Sequence, residues 1–333
     1  MDSAHNISAR RPLSPAQARA ARLPVGRGGG IRLKTAVEMQ RIRRVSRVLE
    51  ELFRELRAKI VPGVTTENLS AYCERCILAK KALPALKGYK GFPAAICASV
   101  NQTAVHGVPN ATPLATGDII TVDITISIDG WHSDSAWTYI VGHTGEEKRR
   151  LVKAAWKATV SGILAARAGG RLGDIGAAIE HTAKRFGCSI LEDFAGHGIG
   201  RMLHEDPIIV HTGTRGVGQP IVPGMVFTIE PILCLGRPEV LTLEDGWTII
   251  TRDGSPAAQF EHTIAIFRDR TEIMTYTLDN IHGIDLPPFF ERQNSSKSLF
   301  NISFRIRNFG TFFAVWEFAP QIPKPQKTGL SAA

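Results

Sequence analysis

The stretch Gly117-Asp-Ile-Ile-Thr-Val-Asp123-Ile-Thr-Ile-Ser-Ile-Asp129-Gly130-Trp-His-Ser-Asp134 decides how this chain is read. Apolar and polar residues alternate on both sides of Asp129-Gly130, a dipeptide that favours the two-residue turn of a β-hairpin. Pairing outward from that turn sets Thr125 opposite Asp134 and Asp123 opposite Ala136. Side chains alternate with period two, so both aspartates fall on one face as diagonal neighbours. Two carboxylates so placed among apolar residues repel each other, and protons or cations must compensate.

Outward from the hairpin, the same step recurs. Gly117 precedes Asp123 by six residues, and in Gly224-Met-Val-Phe-Thr-Ile-Glu230 a glycine again precedes a carboxylate by six. Each segment follows a pair of predicted helices. The first pair covers 35–60, with Val37, Ile42, Val45, Leu49, Leu52, Phe53 and Leu56 at helical spacing, and 66–81, capped by Thr66. Pro62-Gly63 separates them. The second pair covers 146–168 and 175–186, separated by Gly169-Gly170, with Asp174 as the cap. The expectation is an α+β fold of two related helix–helix–strand halves that face one site.

Further polar groups sit in equally apolar settings. Glu230 lies in Val-Phe-Thr-Ile-Glu-Pro-Ile-Leu, and Glu261 in Gln-Phe-Glu-His-Thr-Ile. A buried Glu requires a partner, so two of them in core strands call for a cation. His197 lies in Gly196-His-Gly-Ile-Gly200, where glycines are expected to let the backbone turn and present the ring. Four carboxylates and one imidazole suit hard or borderline divalent ions better than a thiolate zinc site. Cys73-x-x-Cys76 has no second ligand pair at usable spacing and reads as two helix cysteines. His132 shares the hairpin face of Asp123, and His181 and His211 read as structural.

The chain has 333 residues, 44% of them hydrophobic and 21% charged, with five cysteines. That composition excludes collagen-like, disordered and disulfide-framework classes, and an odd number of scattered cysteines indicates reduced thiols and a cytoplasmic setting. No apolar run is long enough to span a membrane, and the N-terminus lacks the apolar core of a secretory signal. Residues 1–60 hold 14 Lys/Arg against five Asp/Glu, which accounts for the whole formal charge of +9. A basic segment of this kind attracts polyanions, and ribosomal RNA is one candidate. Residues 1–33 read as a flexible basic extension with some features of an organelle transit peptide, and 34–277 as the main folded domain. Residues 278–333 form a C-terminal extension of unknown role with a disordered end, in which Phe300, Ile302, Phe304 and Ile306 keep a strand period.

The ordered series Asp123, Asp134, His197, Glu230 and Glu261, with spacings of 11, 63, 33 and 31, resembles that of the dinuclear metallopeptidases of pita-bread fold. Among them it most resembles type I methionine aminopeptidase. Supporting matches are Tyr89-Lys-Gly-Phe92-Pro, Cys97, the His106-Gly-Val-Pro loop, Gly-His197-Gly-Ile-Gly-Arg-x-x-His204-Glu-x-Pro, and Asp-Gly-Trp247. The likeness spans about residues 34–276.

The resemblance implies a pseudo-two-fold fold around a curved antiparallel sheet that holds two divalent ions (Co, Mn, Fe(II) or Zn). Asp123 would chelate one ion, Asp134 and Glu261 would bridge both, and His197 and Glu230 would complete the coordination of the other. It further implies hydrolysis of the first peptide bond by metal-activated water. Glu230 would handle the proton, His204 would donate to the carbonyl oxygen, and His106 would contact the scissile amide. The methionine pocket would be Tyr89, Phe92, Cys97, Leu203 and Trp247, with Leu203 standing where the family pattern has an aromatic residue. Implied partners are N-terminal Met peptides and nascent chains, with no DNA and no membrane, acted on by a monomer. A proline-directed exopeptidase of the same fold shares the five ligands but resembles longer chains. A non-catalytic binding protein of that fold would not need all five positions filled.

Overall fold

A computed structural model describes residues 30–275. The expectations for residues 1–29 and 276–333, including the alternation from Phe300 to Ile306, lie outside the described residues. Four helices form among those described. α1 (Ala36–Arg57) starts at Thr35, whose hydroxyl accepts from the Glu38 N–H while the Glu38 carboxylate accepts from the Thr35 N–H. This reciprocal cap satisfies two otherwise orphan donors. Met39, Ile42, Val45, Leu49, Leu52, Phe53 and Leu56 bury one face of α1, whereas Val37 stays 65% exposed because it lies on the opposite face with Arg41 and Arg44.

α2 (Thr66–Ala79) is capped by Thr65, not Thr66: the Thr65 hydroxyl accepts from Asn68 N–H. Thr66 instead ties the loop at Asn110, donating to its carbonyl and accepting from its N–H. α3 spans Glu146–Ala165, and α4 spans Leu172–Arg185. Asp174 lies inside α4 rather than before it. Its carboxylate accepts from the Arg171 N–H, so it acts as the third helical residue of the cap.

The strands are β1 (Leu83–Pro84), β2 (Cys97–Val100), β3 (Thr103–Val105), β4 (Ile119–Ile128), β5 (Trp131–Ile140), β6 (Ser189–Ile190), β7 (Ala195–Gly198) and β8 (Glu205–Val210). They continue with β9 (Val226–Ile229), β10 (Ile232–Cys234), β11 (Val240–Thr242), β12 (Ile249–Thr251), β13 (Ala257–Gln259), β14 (Glu261–Ile266) and β15 (Thr271–Ile273). Nine of them form one antiparallel sheet in the order β1-β4-β5-β14-β9-β7-β8, with β2 also on β4 and β15 also on β14. β4 and β5 pair through Asp129-Gly130 in the expected register: Thr125 faces Asp134 and Asp123 faces Ala136. Among the described residues, no helix is long and apolar enough to cross a membrane.

The two halves repeat at the level of single hydrogen bonds. Gly63 N–H donates to Leu114 O and Leu114 N–H to Val64 O; Gly169 N–H donates to Ile221 O and Ile221 N–H to Gly170 O. Bridges Thr65–Pro113 and Arg171–Pro220 follow in each half. Gly117 N–H then donates to Val141 O, as Gly224 N–H donates to Ile266 O, both at 2.9 Å. Gly117 and Gly224 sit at φ 98° and 99°, a region that favours glycine. Each glycine thus launches a strand, and a carboxylate stands six residues on, within β4 at Asp123 and just past the end of β9 at Glu230.

Candidate metal centre

β14 lies between β5 and β9, and this placement gathers the site. Glu261 opens β14 directly opposite Ala136 of β5, two residues from Asp134. His262 faces Ile229 of β9, which sets Glu230 beside Glu261 across the strands. Only two residue pairs join β5 to β14, and hydroxyls stitch the rest. Ser135 Oγ donates to Glu261 O at 2.7 Å, and Thr263 Oγ1 donates to Asp134 O at 2.8 Å.

His197 arrives from β7. Gly196 and Gly198 flank it because neighbouring backbone approaches closely, not because the chain turns there. An added Cβ would lie 2.4 Å from Thr228 O at Gly196 and 2.1 Å from Asp206 O at Gly198. Ring nitrogen Nδ1 lies 3.0 Å from Gly198 O. A carbonyl only accepts, so Nδ1 carries the proton and Nε2 keeps its lone pair. That lone pair faces Glu230 Oε1 at 3.5 Å and Asp134 Oδ2 at 3.9 Å. Burial holds the imidazole down at about 4, so it is neutral at pH 7. A lone pair aimed at two carboxylate oxygens is unfavourable unless a proton or a cation lies between them.

The carboxylates make the same point. Asp134, His197 and Glu261 are all buried, with ligand atoms within 4.8 Å of one another. Oδ1 of Asp123, Oδ1 of Asp134 and Oε1 of Glu261 are buried without a hydrogen-bond partner. Burial first, then mutual repulsion, pushes Asp123 and Glu261 well above the usual carboxylate range. Burial raises Asp134 to about 6 and Glu230 to about 8. Orphaned oxygens, raised carboxyls and an unprotonated Nε2 together fit a hard or borderline divalent cation.

Glu230 is held from three sides. His197 N–H donates to Thr228 Oγ1 at 3.0 Å, leaving the Thr228 proton for Glu230 Oε1 at 2.7 Å. Gln259 Nε2 lies 3.4 Å from Oε2, and the Glu230 N–H donates to His211 Nε2 at 3.3 Å. Thr228, Gln259 and His211 are not among the site residues expected from sequence. A period-two reading could have found the first two, since each stands two residues before a carboxylate and shares its face. His132 does not reach the carboxylates; its N–H donates to Gly200 O at 2.8 Å.

Two of the remaining expected residues touch this cluster directly, Cys97 through Asp123 and His204 through His197. Cys97 pairs with Asp123 across β2 and β4, and burial among the carboxylates pushes its thiol well up. Phe92 meets Trp247 edge-on at 5.2 Å between ring centroids, and His106 meets Trp247 at 6.4 Å and Phe194 at 6.1 Å. Phe92, Cys97 and Leu203 are buried, and Trp247 is half-buried. The His204 ring lies 4.2 Å from that of His197, and its Nδ1 is 2.8 Å from Tyr89 Oη. Burial lowers His106 to about 4 and depresses His204 further, so both rings are neutral. Backbone φ is 54° at His106 and 48° at Lys90, left-handed conformations of the kind that cluster around functional sites.

A model of metallopeptidase family M24 matches residues 40–267. The methionine aminopeptidase of Rickettsia prowazekii is 38% identical over 260 residues, covering 78% of this chain and 99% of that protein. Methionine aminopeptidase A of Synechocystis is 43% identical over 249 residues, covering 74% and 98%. The crystal structure of methionine aminopeptidase from Rickettsia prowazekii superimposes with a TM-score of 0.73 at 39% identity, over 74% of this chain and all of that one. The prolidase of Pyrococcus furiosus shares the fold, with a TM-score of 0.58 at 20% identity over 74% of this chain and 65% of its own.

Proposed function

Because the chain belongs to metallopeptidase family M24, among its methionine aminopeptidases, we propose that it removes N-terminal methionine from peptides and nascent proteins. The single observation that carries this reading is the buried cluster of Asp134, His197 and Glu261, with lone pairs converging and no hydrogen-bond partner for one oxygen on each of the two carboxylates. Asp123, Asp134, His197, Glu230 and Glu261 are the residues we assign to two divalent cations. Such cations supply Lewis-acid activation of a water for attack on the first peptide carbonyl.

The chain's own residues do the rest. Glu230, fixed by Thr228 at Oε1 and Gln259 at Oε2, accepts the water's proton and passes it to the leaving amine. A Tyr89 hydroxyl donating to His204 Nδ1 leaves the proton on Nε2, where it donates to the oxygen that gains charge. His106 contacts the scissile amide. Tyr89, Phe92, Cys97, Leu203 and Trp247 surround the unbranched thioether, for which an apolar, polarizable wall is suited. We take the chain as a cytoplasmic monomer whose basic residues 1–60 meet the ribosome, an electrostatic contact that ribosome pelleting at graded salt would show weakening as salt rises.

The test is direct. Chelator-stripped protein is given Mn(II), Co(II), Fe(II) or Zn(II) and offered Met-Ala-Ser beside Ala-Pro-Ala. Methionine released from the first peptide alone, and lost in Asp134→Asn, is the expected result. Cleavage of the proline peptide alone would move the assignment to a prolidase-type activity. A folded chain inactive with every metal would leave a binding protein.

A further inference from the structure

We propose that Lys34 is a positioning residue for His204, acting through Glu205. The inference deepens the functional reading above and rests on it for the role of His204. Lys34 stands just before the Thr35 cap, where the basic N-terminal segment meets the fold. Its N–H donates to Gly224 O at 2.7 Å. Its ammonium is carried inward: the Lys34 side chain is 1% exposed and that of Glu205 6%, with Nζ 2.5 Å from Oε2. Nζ also donates to Arg32 O at 2.9 Å, and the other Glu205 oxygen accepts the Met202 N–H at 3.1 Å.

This pair is built into the turn between β7 and β8. His197 lies at one end of that turn, and Leu203 and His204 at the other. Gly200, in its middle, packs so closely that an added Cβ would lie 2.7 Å from Lys34 Cε and 2.8 Å from Glu205 Oε1. The Gly200 carbonyl accepts from His132, two residues from Asp134. Glu205 is the chain neighbour of His204, so anchoring its carboxylate fixes the backbone from which the His204 ring reaches Tyr89 and His197. Removing one charge would leave the other buried and unpaired, and the turn would have to move to reach water. A shift on the order of 1 Å at a catalytic group costs roughly 10²-fold in rate. Four of the five cluster residues are anchored separately, by β4, β5, β9 and β14, and His197 is held from β7 by its own N–H, which donates to Thr228 Oγ1.

The experiment compares Lys34→Met, Lys34→Arg and Glu205→Gln, each alone and in a His204→Ala background, using the full chain with Mn(II). Lys34→Met is expected to lower kcat about tenfold or more, with KM within about twofold and Mn(II) affinity unchanged. Lys34→Arg recovers most of the loss. In His204→Ala, Lys34→Met changes kcat by less than about twofold, because the group it positions is gone. An equal loss in both backgrounds, or weakened Mn(II) binding, overturns the proposal.

Glu205→Gln keeps an acceptor for the Met202 N–H and carries the same comparison should Lys34→Met fail to fold. A second readout needs no turnover. His204 ring-proton NMR shifts in the metal-free chain, identified by their loss in His204→Ala, are expected to move in Lys34→Met and in Glu205→Gln, and unmoved shifts overturn the inference. An unmodified chain that releases no methionine is a failure of the functional reading alone, and the NMR result then decides this one.

Discussion

The Tyr89 hydroxyl lies 2.8 Å from His204 Nδ1, joining a residue we assign to the side-chain pocket to one we assign to the carbonyl oxygen. On that assignment one hydrogen bond links recognition to catalysis. Tyr89→Phe keeps the pocket wall and removes only the hydroxyl that selects the His204 tautomer. A net hydrogen bond is worth about 0.5–1.5 kcal/mol, so kcat should fall about two- to twelvefold while KM for Met-Ala-Ser changes little. Steady-state kinetics of the single variant checks this.

Metal removal should expose the cost of the carboxylate cluster. Glu230 is raised to about 8 and Asp134 to about 6 in the fold, against 4.5 and 3.8 for exposed groups. The folded chain then binds more protons than the unfolded one, so stability is lost as pH rises through the folded values. Buried histidines work in the opposite direction, but only below their ordinary value of 6.5. Between pH 6.5 and 8 the carboxylates act alone, and the melting temperature of EDTA-treated protein should fall. Mn(II) should flatten that slope, because a cation compensates the ionised oxygens. Thermal unfolding with and without metal measures both.

Asp134→Asn should act with opposite signs in the two states. Without metal it removes one of four crowded carboxyls and should raise the melting temperature by about 2–4 °C per kcal/mol gained. With Mn(II) it should lose most of the metal-dependent stabilisation and the activity. A lower metal-free melting temperature would show that the carboxyl stabilises the bare site.

Leu203, which we assign to the pocket wall, is buried. Leu203→Phe fills space next to the pocket and should favour the unbranched side chain over a branched one. A change of one methylene or so in an apolar pocket is worth about 1–3 kcal/mol. The ratio of kcat/KM for Met-Ala-Ser over Leu-Ala-Ser should rise about tenfold, as competition between the two peptides would report.

Much of the architecture is legible in the amino-acid order. The hairpin around Asp129-Gly130 has the register that the turn residues and the period-two alternation dictate, down to Thr125 opposite Asp134. The two glycine-to-carboxylate steps foretell a repeat that recurs hydrogen bond for hydrogen bond. Helix caps differ from expectation by small steps, at Thr65 for Thr66 and at Asp174 inside its helix, because several polar residues compete at a helix start and only backbone geometry selects among them.

Local pattern determined the elements, the faces that carry Asp123 and Asp134, and, through the ordered motifs, the family. Tertiary structure alone decided that β14 runs between β5 and β9, bringing Glu261 to Asp134 across more than a hundred residues of chain. It also decided which neutral groups hold Glu230, and that Lys34 reaches Glu205 171 residues away. The physical reason is that turns and periodicity act between neighbours along the chain, whereas strand order and buried ion pairs are selected only when the whole core closes.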